Sequence, residues 1–230
     1  MKQFVNDKIN TVCKKVNSIE DRLSVVEERG NDDSNLSSTL TSVSSANRTH
    51  TVPGNSSYAS ISRGGKKVVL LSDSMCGRMK MRKLNDGLVN KTIYRKHYPG
   101  ATPDDIHHYC SRTLDLDKPD IAVLHVGTNK VMHEDPFETA QGIMKIVGLC
   151  KDYGCNQVFV SGIVYRPDAE ETVTQLNNIL YQWSYLHGYT FIFNSNIKED
   201  CLDNGKLHLT DRGSARLSSN FRRALNKPHV

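Results

Sequence analysis

The sequence predicts an α/β chain, a three-layer α/β/α domain on five parallel strands, preceded by a coiled-coil helix. Three observations lead there. From Lys66 onward, short apolar runs alternate with longer amphipathic stretches, the pattern of βαβ units and a parallel sheet. The first segment instead carries apolar residues at intervals of four and three in strict alternation. Between them, residues 31–65 are rich in Ser, Thr and Asn with almost no apolar periodicity, the composition of a flexible linker. The expected organisation is a coiled-coil oligomerisation helix over 1–29, a linker over 30–65 and one catalytic-sized domain over 66–230.

In the first segment Ile9, Val16 and Leu23 take heptad position a, and Val5, Val12, Ile19 and Val26 take position d. Lys15 and Arg22 at g then face Glu20 and Glu27 at e of a parallel neighbour, so opposite charges meet at both. β-Branched residues at d disfavour two strands, which makes a homo-oligomer of three or more chains the expectation. The competing role for such a helix is to pack on its own domain. Gly30 ends it.

In the domain, the expected strands are Lys67 to Ser72, Lys91 to His97, Ile121 to Val126, Gln157 to Ser161 and Tyr189 to Phe193. Helices are expected near 76–85, 103–113, 136–152, 169–187 and 211–226. In the last of these Leu217, Phe221, Ala224 and Leu225 share a face, and Thr210 or Asp211 supplies the N-cap.

Composition narrows the function classes. No apolar run approaches the roughly 20 residues of a membrane span, and MKQFVNDKINTV has no apolar block followed by small residues. A cytoplasmic protein is expected. The six cysteines are scattered, in neither a disulfide framework nor paired zinc knuckles, so free thiols are the default. The net charge of +5 is unevenly placed: residues 63–96 hold ten Lys or Arg against Asp73 and Asp86. Arg212, Arg216, Arg222, Arg223 and Lys227 add a second basic stretch over 212–227. A fold that joins the two would offer phosphates a positive surface, so nucleic acid and anionic membranes are candidate partners; a solvated basic face is the plainer alternative.

In open parallel sheets, ligands gather beyond the carboxyl ends of the strands. After the first expected strand stands Ser72-Asp73-Ser74-Met75, after the second Pro99-Gly100-Ala101-Thr102, and after the third Gly127-Thr128-Asn129. Near the carboxyl end is Asp203-Asn204-Gly205-Lys206-Leu207-His208-Leu209. A serine hydroxyl needs an adjacent base to attack a carbonyl, and an imidazole with a reference pKa of about 6.5 can take and return that proton. Ser74 and His208 are the candidates. Each residue also has a plainer role: Ser74 capping a helix, His208 on the surface, Gly100 in a turn, Asn129 in a loop hydrogen bond. The lipase-type G-x-S-x-G elbow is absent.

Together the four segments, in order over residues 66–226, resemble the four blocks of the SGNH (GDSL-like) hydrolase family. The resemblance implies a flavodoxin-like fold and a serine esterase acting on short-chain, acetyl-type esters or lipids. It implies Ser74 as nucleophile, His208 as base, and an oxyanion hole from the N–H of Ser74, the N–H of Gly100 and the amide of Asn129. No metal or organic cofactor is expected, since these groups fill every role.

Three departures stand out. Ser72 replaces the usual Gly, Lys130 follows Asn129 where Asp is usual, and Gly205 occupies the position of the triad acid, three residues before His208. Asp203, five residues before the histidine, is the alternative acid; without it a Ser-His dyad operates. The coiled coil, linker and SGNH blocks together resemble the esterase-bearing first-open-reading-frame protein of a non-LTR (LINE-type) retrotransposon, which implies self-association and RNA binding. Two function classes follow: an active esterase, or a catalytically silent scaffold for oligomerisation and RNA or anionic-membrane binding.

Overall fold

The computed structural model describes residues 65–228. The heptad segment and the linker, Gly65 aside, lie outside the described residues.

Five strands form one parallel sheet: β1 (Lys66–Ser72), β2 (Lys91–His97), β3 (Ile121–His125), β4 (Gln157–Ser161) and β5 (Thr190–Ile192). Their order is β2-β1-β3-β4-β5. The burial of each strand matches its place. Val68 to Leu71 and all of β3 are shielded from solvent, as continuous apolar runs in the middle of a covered parallel sheet must be. β2 buries only Ile93 and lines its outer edge with lysine and arginine, while β5 is three residues long. Both devices blunt an edge against pairing with another chain.

Helices cover both faces. α1 (Met81–Asn85) and α5 (Asp211–Asn226) pack on one, where Val68, Leu70, Val123 and Phe159 meet Leu84, Leu217, Phe221 and Leu225. α2 (Pro103–Asp117), α3 (Pro136–Asp152) and α4 (Glu170–His187) pack on the other, where Val69, Leu71, Leu124 and Val160 meet Ile106, Leu114, Ile143, Ile146, Leu176 and Trp183. The period of two along β1 sends alternate side chains to alternate layers. Three-layer α/β/α with five parallel strands is therefore the architecture, as the sequence predicts.

Local chemistry sets the ends. Thr102 and Asp105 form a reciprocal capping box at the start of α2, ahead of Pro103; Asp135 caps α3 ahead of Pro136; Thr210 Oγ1 accepts from the N–H of Gly213 to cap α5. One expected element is different. In place of a helix over 76–85 there is a 3₁₀ turn at Ser74–Cys76, an irregular link, and then the five-residue α1. The Arg95 guanidinium explains it by donating to the carbonyls of Cys76 and Met79 at 2.6 and 3.1 Å, which takes the acceptors a continuous helix would use. Among the described residues no helix is long and apolar enough to cross a membrane.

Strand order decides where a ligand can sit. The chain leaves β1 for β2 on one side and returns to β3 on the other, so the loops after β1 and β3 diverge and leave a crevice between them. Ser74 is on the first loop and Asn129 on the second.

Candidate active site

Asp73 organises the crevice. Its side chain is fully buried; Oδ1 accepts the N–H of Met75 at 3.0 Å and Oδ2 the N–H of Thr128 at 3.1 Å, while its own N–H donates to the His125 carbonyl at 3.2 Å. A buried carboxylate that accepts two backbone N–H groups is strongly held, and here it ties the β1 loop to the β3 loop. The 3₁₀ turn begins at once, leaving Ser74 half-buried at its first position.

The loop after β2 joins through Asn129, whose Nδ2 donates to the Ala101 carbonyl at 2.9 Å. An amide nitrogen carries two N–H groups, so one remains. Gly100, beside Ala101, has φ of +77°, a left-handed value that costs other residues strain; the space where a Cβ would stand is open. Its conformation, not a close neighbour, explains the glycine. Among the described residues no protein acceptor engages the N–H of Ser74 or of Gly100. Both are available to a ligand oxygen.

His208 is half-buried in a turn between Leu202 and Leu209, which form an antiparallel bridge. The turn closes on Asp203: its N–H donates to the His208 carbonyl at 2.8 Å, and its Oδ1 accepts from the N–H groups of Leu207 and His208 at 3.4 and 3.3 Å. Desolvation pushes the Asp203 carboxyl upward, but those N–H groups and the charges of His208 and Arg78 outweigh it and hold it below its usual range. Two ion pairs bring this region to the segment following Ser74. Arg78 lies 4.0 Å from Asp203, and Lys80 lies 2.9 Å from Asp211. Among the described residues no hydrogen bond joins the Asp203 carboxylate to the His208 ring.

No family model matches the chain, and no curated protein matches it by sequence. Solved structures do match. A lipase/acylhydrolase from Enterococcus faecalis aligns at 18% identity and a TM-score of 0.60, covering 72% of this chain and 99% of that one. A member of the lipolytic protein G-D-S-L family from Veillonella parvula aligns at 13% identity and a TM-score of 0.62, covering 70% and 99%. A catalytic mutant of an acetylxylan esterase from Geobacillus stearothermophilus aligns at 15% identity and a TM-score of 0.58, covering 72% and 96%. This chain has the SGNH-hydrolase fold.

Within that fold the departures have structural correlates. Ser72 is fully buried at the end of β1. The Lys130 ammonium pairs with Glu134, so its charge is drawn away from Asn129. Cys76, two residues past Ser74, is fully buried, and burial and then the charge of Asp73 push its thiol far above the usual range.

Sequence reasoning missed four supports of the candidate site. The role of Asp73 as a clasp was legible only as an acid directly after a strand. Gly127, with φ of +119°, allows the turn that carries Thr128 and Asn129. Arg166, buried beneath this loop, donates to the Thr128 carbonyl at 3.4 Å while Asp168 holds its guanidinium through two bonds of 2.9 and 2.6 Å. Under the crevice runs a buried polar chain. His125 Nδ1 and Ser161 Oγ are bonded at 2.9 Å, Asn194 Nδ2 donates to that Oγ at 2.8 Å, and Asn220 Nδ2 donates to Asn194 Oδ1 at 2.9 Å. The only signal for it was polar residues inside apolar runs.

Proposed function

We propose that this chain is a serine esterase of the SGNH family, hydrolysing short-chain acyl esters with Ser74 as nucleophile and His208 as general base. The observation that carries this reading is the tie among three loops: Asp73 to Thr128, and Asn129 to Ala101. It gathers Ser74, Gly100 and Asn129 into one hydrogen-bonded frame beyond the carboxyl ends of β1, β2 and β3.

Ser74 Oγ attacks the ester carbonyl carbon and its proton passes to the His208 ring. The new negative charge on the carbonyl oxygen is met by the N–H of Ser74, the N–H of Gly100 and the second amide hydrogen of Asn129, donors already oriented before reaction. The imidazolium then returns the proton to the departing alkoxide, and water, deprotonated by the same ring, releases the acyl group from Ser74. Asp203 acts on His208 by shaping its turn and by charge, which makes the relay a Ser-His dyad with an electrostatic acid.

Fluorophosphonate labelling with mass-spectrometric mapping tests this. Modification at Ser74 that disappears in His208→Ala is the expected result; no modification of Ser74 ends the reading.

A second reading, a silent scaffold that oligomerises and binds RNA or anionic membranes, draws on the convergence of the two basic stretches, since Lys80 of one pairs with Asp211 beside the other. It predicts RNA affinity that falls steeply with salt alongside an unlabelled Ser74. Self-association through residues 1–29, and the kinship with a retrotransposon protein that it suggested, stand as proposals of the same kind.

A further inference from the structure

A concave cavity of about 440 Å³ opens between the segment after Ser74, α1 and α5. Arg78, Lys80, Lys83, Arg212 and Arg222 line it, with Asp211 as its one acid. Residues far apart in the chain build this wall. Two of the cations are supplied by α5 and three by residues 78–83, so the fold has concentrated charge that the sequence spread over two stretches.

The cations are not evenly neutralised. Lys80 pairs with Asp211 at 2.9 Å, Arg212 with Asp200 at 3.2 Å, and Arg78 approaches Asp203 at 4.0 Å. Lys83 and Arg222 make no ion pair within 4 Å among the described residues, and Lys83 acts on Asp211 by charge alone. The Asp211 carboxyl registers the field, held below its usual range by the hydrogen bond and charge of Lys80, with Arg78 and Lys83 adding to it. Ser214, in the first turn of α5, is part of the cavity wall and only 4% exposed, with its Oγ closed off from solvent. The amino-terminal turn of a sixteen-residue helix adds positive potential at the same point.

Chemistry of that kind selects an anion with several acceptor oxygens. Guanidinium forks and ammonium groups around a small concavity suit a phosphoryl group, which takes bidentate arginine contacts and point charges together. The lining has no aromatic residue, so it offers no platform on which a nucleic-acid base would stack. We infer that this cavity is a binding site for the phosphate group of a small phosphorylated ligand, distinct from the crevice that holds Ser74. The phosphoryl oxygens are taken by Lys83 and Arg222, with the other cations supplying field.

Calorimetric titration of the full chain with inorganic phosphate and with glycerol 3-phosphate, against chloride at equal ionic strength, tests the site. Saturable one-to-one binding of both phosphates is expected, each displacing the other, and weakening as salt is raised. Lys83→Glu and Arg222→Gln should each weaken it about tenfold or more, the loss of one charge-assisted contact. Phosphate binding no tighter than chloride overturns the inference. So does phosphate binding that both variants retain at full strength while Tm shows them folded. A single-stranded oligoribonucleotide lacking terminal phosphates, bound with a loss in the same variants while neither phosphate displaces it, also overturns it by assigning the cavity to a polymer backbone. Labelling of Ser74 does not enter these measurements, so failure of the esterase reading and failure of this one are told apart.

Discussion

The crevice between β1 and β3 and the turn that carries His208 are built to different standards. In the crevice, the buried Asp73 carboxylate is shared between two loops, Asn129 reaches a third, and Arg166 grips the Thr128 carbonyl from below. All but the local bond from Met75 to Asp73 cross from one strand end to another. The histidine turn bonds mainly to itself: Asp203 closes it through the backbone of Leu207 and His208, and Asn204 to Leu207 stand exposed. Its Asp203 link to the rest of the site is one long ion pair to Arg78. The difference teaches that the electrostatic half of the proposed machinery is preorganised by the sheet, whereas the proton-relay half depends on a local loop. Preorganised donors are the costlier part to build and the larger catalytic contribution.

Substitutions sharpen that contrast. Ser74→Ala should reduce hydrolysis of p-nitrophenyl acetate by ~10⁴-fold or more, and equal rates for variant and parent would remove the esterase from the comparison altogether. Asn129→Ala, which deletes a donor from the rigid half, should lower kcat by ~10²- to 10³-fold with KM little changed. Asp203→Asn should cost less than about tenfold, because the carboxylate meets backbone N–H groups and not the ring; a genuine orienting acid costs ~10⁴-fold when neutralised. A loss of that larger size would mean that Asp203 and the imidazole do engage during turnover, and the two halves would then be equally well built.

The strands were legible because apolar runs such as Val68 to Leu71 have only one use in a covered parallel sheet, and the helix starts because Thr102, Asp135-Pro136 and Thr210 cap by local rules. Strand boundaries differ by a residue, as at β3, which ends at His125 and not Val126, while the helix expected over 103–113 runs four residues further, to Asp117. The helix expected over 76–85 failed for a non-local reason. Its carbonyls are taken by Arg95, a side chain on a neighbouring strand, and no window of sequence around Cys76 reveals that. Ser74, Gly100 and Asn129 were readable as residues just past strands, whereas the roles of Asp73 and Arg166 depend on which loops become neighbours. The same reasoning separates the basic stretches from the cavity they line: the charges are plain in the sequence, and their convergence on one cavity is a property of the packing of α1 and α5.

Acid should weaken the rigid half. His125 is fully buried beneath the crevice, against Ser161, Asp73 and the Phe221 ring, and desolvation lowers its pKa from the ordinary 6.5 by more than the charge of Asp73 raises it. In the unfolded chain the ring takes a proton near that ordinary value; in the folded one it does so only at lower pH. Between the two the unfolded state binds more protons, so stability is complete above about pH 6.5 and is lost as pH falls below it, with a slope of at most ~1.4 kcal/mol per unit from this group. His97, lowered by burial and by Arg95, adds in the same direction but is exposed enough for solvent to screen it. Urea denaturation at pH 7.5, 6.5 and 5.5 should give a falling midpoint in the parent and a flatter one in His125→Gln, which keeps a polar group near Ser161 but cannot take a proton. A parent midpoint that is constant over this range, or a variant that declines as steeply, would remove His125 as the group through which acid acts on the crevice.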